Sequence, residues 1–267
     1  MAASPARIAE VLAGLRAQTA RLGAAAEARA VVRGVVATGV TAIDEALGGG
    51  LPRGRLTELV GARGSGRLSL TLAALAGGQG RGELVALVDG ADALEPAAAL
   101  DAGVALERLL WVRARTRDEA LLAADRVLDA GGFALVVVYL VGAEQRRQRK
   151  PLPVPLPVPV PGSPSVRYGN GNGNGNGSGR VWTRLRERAE RSRAAVLVVD
   201  DAATVGSFAA ATLEAVRGGA RWVGRGPGRL LDRVDAAVVV SRSKLGPPGA
   251  RSVVSLSADA KSSSGRR

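Results

Sequence analysis

Residues 61–68 read GARGSGRL, a spacing of residue types that could do phosphate chemistry. Glycines at 61, 64 and 66 allow a tight turn whose backbone N–H groups converge on an anion, and a helix beginning just after would add its positive end. A working phosphate loop of the form G-x-x-x-x-G-K-[ST] also needs a lysine on the β- and γ-phosphates and a hydroxyl on Mg²⁺. Arg67 and Leu68 stand in those two places. Arg67 keeps the charge but presents a bulky planar fork instead of a compact ammonium. Leu68 cannot ligate Mg²⁺, and Ser69 falls one place late. Gly61, Gly64, Gly66, Arg67 and Ser69 are therefore the candidate cofactor-binding residues of a degenerate site. No catalytic residue and no metal ligand is assigned.

The rest of the chain excludes other chemistries. The 267 residues contain no Cys and no His. That removes disulfides, thiolate metal sites, the commonest general base and the commonest zinc ligand. No run of 18 apolar residues occurs and the N-terminus lacks a continuous apolar segment, so a cytoplasmic location and no membrane partner are expected. The formal charge is +13, yet residues 1–140 hold 15 basic and 15 acidic side chains. The whole excess lies in 141–267, which suggests a polyanionic partner, nucleic acid before anionic membrane. The competing explanation is an Arg-biased composition, since only Lys150, Lys244 and Lys261 are lysines.

These residues need a scaffold. Residues 5–30 have helical apolar spacing, and Thr41 is placed to cap a short helix through Leu47. RLTELV then forms a strand that runs into the glycine loop, and LSLTLAALAGG forms a helix ended by Gly77 and Gly78. ELVALVD, LLWVRA, FALVVVYLV and AAVLVVDD are strands, with helices near 96–103 and 118–131 between them. Strands alternating with helices predict a doubly wound, mostly parallel α/β sheet. VDAAVVVSRS and ARSVVSLSA form a terminal β-hairpin. The divisions are 1–33 (amphipathic helix and linker), 34–144 (first part of the core), 145–180 (a basic, Pro-rich and Gly-Asn insert), 181–258 (second part of the core) and 259–267 (a basic tail). The insert is expected to be disordered; a DNA-contacting loop, a PxxP ligand or an expanded linker are its alternatives.

The run TGVTAIDEALGGGLPRGRLTELVGARGSGRLSLTLAAL resembles the RecA recombinase family, and the pattern of the core from 34 to 141 and 182 to 257 follows it. Within that superfamily the shape is most similar to the ImuA family, shortened RecA-like proteins also labelled SulA-like. The resemblance implies a RecA-like sheet and places the catalytic glutamate at Ala91, the Mg²⁺-orienting aspartate at Tyr139 and the sensor residue at Asp201. With Arg67 and Leu68, four parts of an ATPase are replaced. It implies an accessory protein of the DNA-damage (SOS) response and translesion synthesis that has lost ATP hydrolysis. It would act on RecA and an error-prone translesion polymerase or its accessory subunit.

The same resemblance makes the region after the sensor strand a DNA-facing loop. There Arg217, Arg221, Arg225 and Arg229 would track the phosphates of single-stranded DNA and Trp222 would stack on a base. Core packing of Trp222 is the alternative. Asp200 and Asp201 are weighed as turn or capping residues above metal ligands, and Arg184, Arg186, Arg188, Arg191 and Arg193 as mostly a solvated helix face. No cofactor is expected beyond a doubtful ATP and Mg²⁺. The rival readings are a DNA-dependent ATPase using Arg67 with Asp92 or Asp200, and an interaction module acting through 151–161 and the N-terminal helix.

Overall fold

The computed structural model describes residues 34–80, 82–143, 176–224, 230–245 and 251–257. The N-terminal helix of 5–30, most of the 145–180 insert and the 259–267 tail lie outside the described residues. Eight strands form one sheet: β3 (Leu56–Gly61), β4 (Leu84–Asp89), β5 (Leu109–Arg113), β6 (Phe133–Tyr139), β7 (Ala195–Asp200), β8 (Ala209–Val223), β9 (Leu230–Ser243) and β10 (Arg251–Ser257). Their spatial order is β10-β9-β8-β3-β7-β6-β4-β5. The six strands from β8 to β5 are parallel, and β9 and β10 add an antiparallel edge. A small pair, β1 (Val35–Val36) with β2 (Leu51–Pro52), precedes them. The expected α/β class and the terminal hairpin are both present.

The near-continuous apolar runs of the central strands are explained by burial on both faces. Successive residues point to opposite sides, so Val85 and Leu87 of β4 face one core while Ala86 and Val88 face the other. The first core is covered by α1 (Thr41–Ala46), α2 (Arg67–Gln79) and α3 (Pro96–Asp101). The second is covered by α4 (Arg117–Ala130) and α5 (Asn176–Ser192), through Leu121, Leu128, Trp182 and Leu185.

Local details correct three expectations. Thr41 does not cap α1; the cap position is Val40, and the turn is held by Thr38, whose N–H and hydroxyl both donate to the Asp44 carboxylate at 2.8 Å. Burial raises the pKa of Asp44, partly offset by those Thr38 bonds. Gly77 and Gly78 do not end α2, which continues to Gln79. A Cβ at Gly77 would sit 2.6 Å from the Thr38 carbonyl carbon and the Gly39 nitrogen, so glycine is there for close packing rather than as a stop. Finally, Arg184 and Arg188 are not solvated ornaments. Arg184 pairs with the buried Asp125 of α4, and Arg188 pairs with Asp125 and Asp129.

Candidate functional site

The glycine loop leaves the end of β3 and enters α2. Gly61 lies beside Ala215 of β8, where a Cβ would meet the Ala215 carbonyl oxygen at 2.4 Å and the Ser65 hydroxyl at 2.8 Å. The Ser65 N–H donates to the Ala62 carbonyl at 3.1 Å, closing the turn. Gly66, at φ 89°, precedes α2 and supplies no side-chain cap to it. The first-turn N–H groups of such a helix favour an anion. The Ser65 hydroxyl is buried and has no hydrogen-bond partner among the described residues. Thus the loop retains groups that suit a phosphate.

Arg67 does not serve that seat. Its side chain is only 4% exposed and reaches across to the end of β7. One guanidinium nitrogen donates to the Asp200 carbonyl at 2.5 Å, and another meets Asp201 Oδ1 at 3.0 Å. The second oxygen of Asp201 accepts the Gly142 N–H at 2.9 Å, beyond the end of β6. The cation at the lysine position is thus already paired with a carboxylate of this chain, while Arg63 of the same loop is exposed.

The other replaced positions are equally committed. Leu68 is half-buried against the first core, and Ser69 is exposed. Ala91 packs on that core and its N–H donates to Asp89 at 3.1 Å. Asp89 also accepts from Ala93 and Leu94, so it pins the loop after β4. Asp92, one of the two acids that the rival ATPase reading offers, is paired with Arg113 at 2.6 Å. Tyr139 ends β6 and is 6% exposed; burial raises its pKa, with the nearby Arg67 acting in the opposite direction. β7 lies between β3 and β6, so the acid-bearing end of β7 adjoins the glycine loop directly.

Asp200 and Asp201 are ion-pair residues rather than simple turn formers. Asp200 Oδ1 does accept the Asp201 N–H, but Oδ2 pairs with Arg117 at 2.7 Å and accepts the Thr204 hydroxyl at 3.0 Å. With Arg117, Leu140, Gly142, Ala143 and Thr204 they line a cleft of about 300 Å³ at this end of the sheet. Glu58, fully buried on β3, accepts the N–H groups of Thr204 and Val205 at 2.5 and 2.8 Å. The role of Glu58 could have been suspected from a carboxylate inside an apolar strand. Nothing local marks Arg117, whose partners are 83 and 87 residues away in the chain. Among the described residues no group of three or more His, Cys, Asp or Glu is arranged to hold a metal ion. The residues at the loop fit an anion and do not fit a Mg²⁺-nucleotide.

The proposed DNA-contacting residues divide. Arg217, Arg221 and Trp222 sit on β8, whereas Arg225 and Arg229 lie outside the described residues. The expected long loop after β7 is instead a short connection through 208 followed by this strand. β3 accompanies β8 only as far as Ala215; beyond it β8 pairs with β9 alone, to Val223 opposite Leu230. The far part of β8 therefore belongs to an extension formed with β9 and β10, which narrows to a β8–β9 ribbon at Trp222 and Val223. Trp222 is 53% exposed there and does not pack in the core. Arg217 is also exposed. No helix among the described residues is long and apolar enough to cross a membrane.

Comparison with known proteins places this geometry. Residues 16–149, half of the chain, match the RecA N-terminal domain family. The chain is similar to Protein RecA of Clavibacter michiganensis subsp. michiganensis, at 41% identity over 110 residues, covering 41% of this chain and 30% of that protein. It is likewise similar to Protein RecA of Acidothermus cellulolyticus, at 42% identity over 118 residues, covering 44% and 34%. The chain spans about a third of the length of the curated relatives it matches. In fold it resembles the RadB recombinase, with a TM-score of 0.58 and 20% identity, covering 82% of this chain and 94% of that structure.

Proposed function

Because the chain belongs to the RecA N-terminal domain family, we propose that it serves recombination and repair as a RecA-like accessory protein that does not hydrolyse ATP. The observation behind this reading is the Arg67–Asp201 pair, which commits the cation at the lysine position to an internal carboxylate. A phosphate would have to compete with Asp201 and with the Asp200 carbonyl for a guanidinium that is buried and turned toward the end of β7. Leu68, Ala91 and Tyr139 add three positions without a Mg²⁺ ligand or a general base. The closest functional type is that of ImuA: an adaptor in DNA-damage tolerance that links RecA or DNA to an error-prone translesion polymerase, or limits RecA. The basic second half supplies the contact to single-stranded DNA, through Arg217, Arg221, Trp222, Arg225 and Arg229.

The deciding experiment is Mg²⁺-ATP turnover by the purified protein, with and without single-stranded DNA, with RecA as the positive control. The expected result is no turnover together with DNA binding. DNA-stimulated turnover that Arg67→Ala abolishes would establish a DNA-dependent ATPase instead.

A further inference from the structure

The connection from β7 to β8 is tethered along nearly its whole length. Asp201 is held by Arg67 and by the Gly142 N–H. Thr204 is held through its hydroxyl by Asp200 and Arg117, and through its N–H by Glu58, which also takes the Val205 N–H. From the other side, Arg242 donates to the carbonyls of Gly206 and Ala209 at 2.6 and 3.2 Å, and Lys244 donates to the Ser207 carbonyl at 2.5 Å. Connections between elements are ordinarily the most mobile parts of a fold. Here five other segments, β3, the glycine loop with α2, the exit of β6, the start of α4 and the end of β9, hold Asp201 and residues 204–207 of the eight-residue connection.

Arg67 is the member of this network that joins it to the glycine loop. Besides the direct contact of Gly61 with Ala215, the route from the glycine loop to β8 runs through the 201–208 connection. The Arg67 guanidinium instead supplies a permanent positive group at that junction, buried and already matched to Asp201. We propose that Arg67 is a built-in clamp that fixes the 201–208 connection, so that the β8–β9 ribbon is presented in one state whatever the nucleotide. This rests on the reading of the ribbon as the DNA-contacting surface and deepens it by assigning how that surface is regulated: constitutively, from within the chain.

The test is amide hydrogen exchange on the full-length protein, read at 201–209, with single-stranded DNA affinity measured by anisotropy of a labelled oligonucleotide. In the wild type, slow exchange at 201–209 without nucleotide is expected, and Mg²⁺-ATP should change neither exchange nor DNA affinity. Arg67→Ala should speed exchange there by roughly 10-fold or more while leaving β4 and β6 protected. Asp201→Asn should give a similar but smaller increase, and the double variant should add little to Arg67→Ala. Should Arg67→Ala fail to fold, Arg67→Lys keeps the charge but loses the two-point contact and should loosen 201–205 alone. Unchanged exchange in Asp201→Asn and in the folded Arg67 variant would overturn the clamp, as would protection or a shifted DNA affinity on adding Mg²⁺-ATP to the wild type. Turnover without any change at 201–209 would instead defeat the non-hydrolysing reading and leave the clamp standing.

Discussion

Glu58 and Thr204 lie 146 positions apart in the chain, and the fully buried Glu58 carboxylate accepts the N–H of the exposed Thr204 at 2.5 Å. A carboxylate placed there in an apolar strand is stable only because two backbone N–H groups and the Thr212 hydroxyl converge on it. It fastens the strand that begins the site to the connection that ends it.

Glu58→Ala should therefore cost roughly 1–3 kcal/mol, because the buried Val205 N–H loses its acceptor without gaining water. Urea unfolding monitored by tryptophan fluorescence measures this. A loss below about 1 kcal/mol would show that the connection relaxes freely.

Arg67→Lys combined with Leu68→Thr rebuilds the two loop positions of a phosphate site. Turnover of Mg²⁺-ATP should nevertheless stay at background, since Ala91 and Tyr139 still supply neither a base nor a Mg²⁺ ligand. A coupled phosphate-release assay that registers turnover would place the defect in the loop alone.

The seam between α4 and α5 offers a contrast between two aspartates. Asp125 is 5% exposed and faces both Arg184 and Arg188, whereas Asp129 is 53% exposed. Asp125→Ala should destabilise the protein by about 1.5–3 kcal/mol through the loss of its charge-assisted hydrogen bonds, and Asp129→Ala by about 1 kcal/mol or less. Thermal unfolding should show the two far apart.

Tyr139 predicts an alkaline limit. Its folded pKa is raised above the ordinary phenol value, chiefly by burial, so the neutral form is the one that folding favours. That contribution is fully present below the unfolded pKa of about 10 and is lost as pH rises through the folded pKa. Stability should fall above pH ~10 in the wild type, and less steeply in Tyr139→Phe. Parallel pH profiles for the two proteins would count against this assignment.

Trp222→Ala should leave the unfolding midpoint nearly unchanged, because the side chain is half-exposed on the ribbon. Single-stranded DNA affinity should drop by roughly 5- to 100-fold, the worth of one base-stacking contact. An unaltered affinity would move the nucleic-acid surface elsewhere.

Much of the architecture was legible because local rules and global fold agree. The strands at 84–89, 133–139 and 195–200 are apolar runs bounded by turn residues, and a doubly covered parallel sheet is the arrangement that buries them. The glycine loop was legible from its spacing, as were the substitutions of Arg67 and Leu68. What stayed hidden were pairings across the sheet. Asp200 and Asp201 resemble any polar pair after a strand, and only the adjacency of β7 to β3 brings Arg67 to them. Arg184 and Arg188 alternate with glutamates like a solvated helix face, and their partners sit 59 residues earlier for the Arg184–Asp125 and Arg188–Asp129 pairs. The resemblance makes the region after the sensor strand a loop, whereas residues 209–223 form a strand through pairing with β3 and β9, which their alanine-, glycine- and arginine-rich sequence does not announce.

The position of β3 sets an order of events in the cell. Its Leu56 pairs with Val196 on one side and Ala209 on the other, so both of its neighbours are synthesised roughly 140 residues after it. At a translation rate of about 5–20 residues per second, the strand waits on the order of 10 seconds with two open edges. The region matched by the family ends at residue 149, before either neighbour has emerged. A nascent chain stalled there would display an unpaired apolar strand to every chaperone at the tunnel exit. A truncated fragment of this chain should be recovered with holdases or as aggregate, because the late-arriving second half is what closes both edges of the strand.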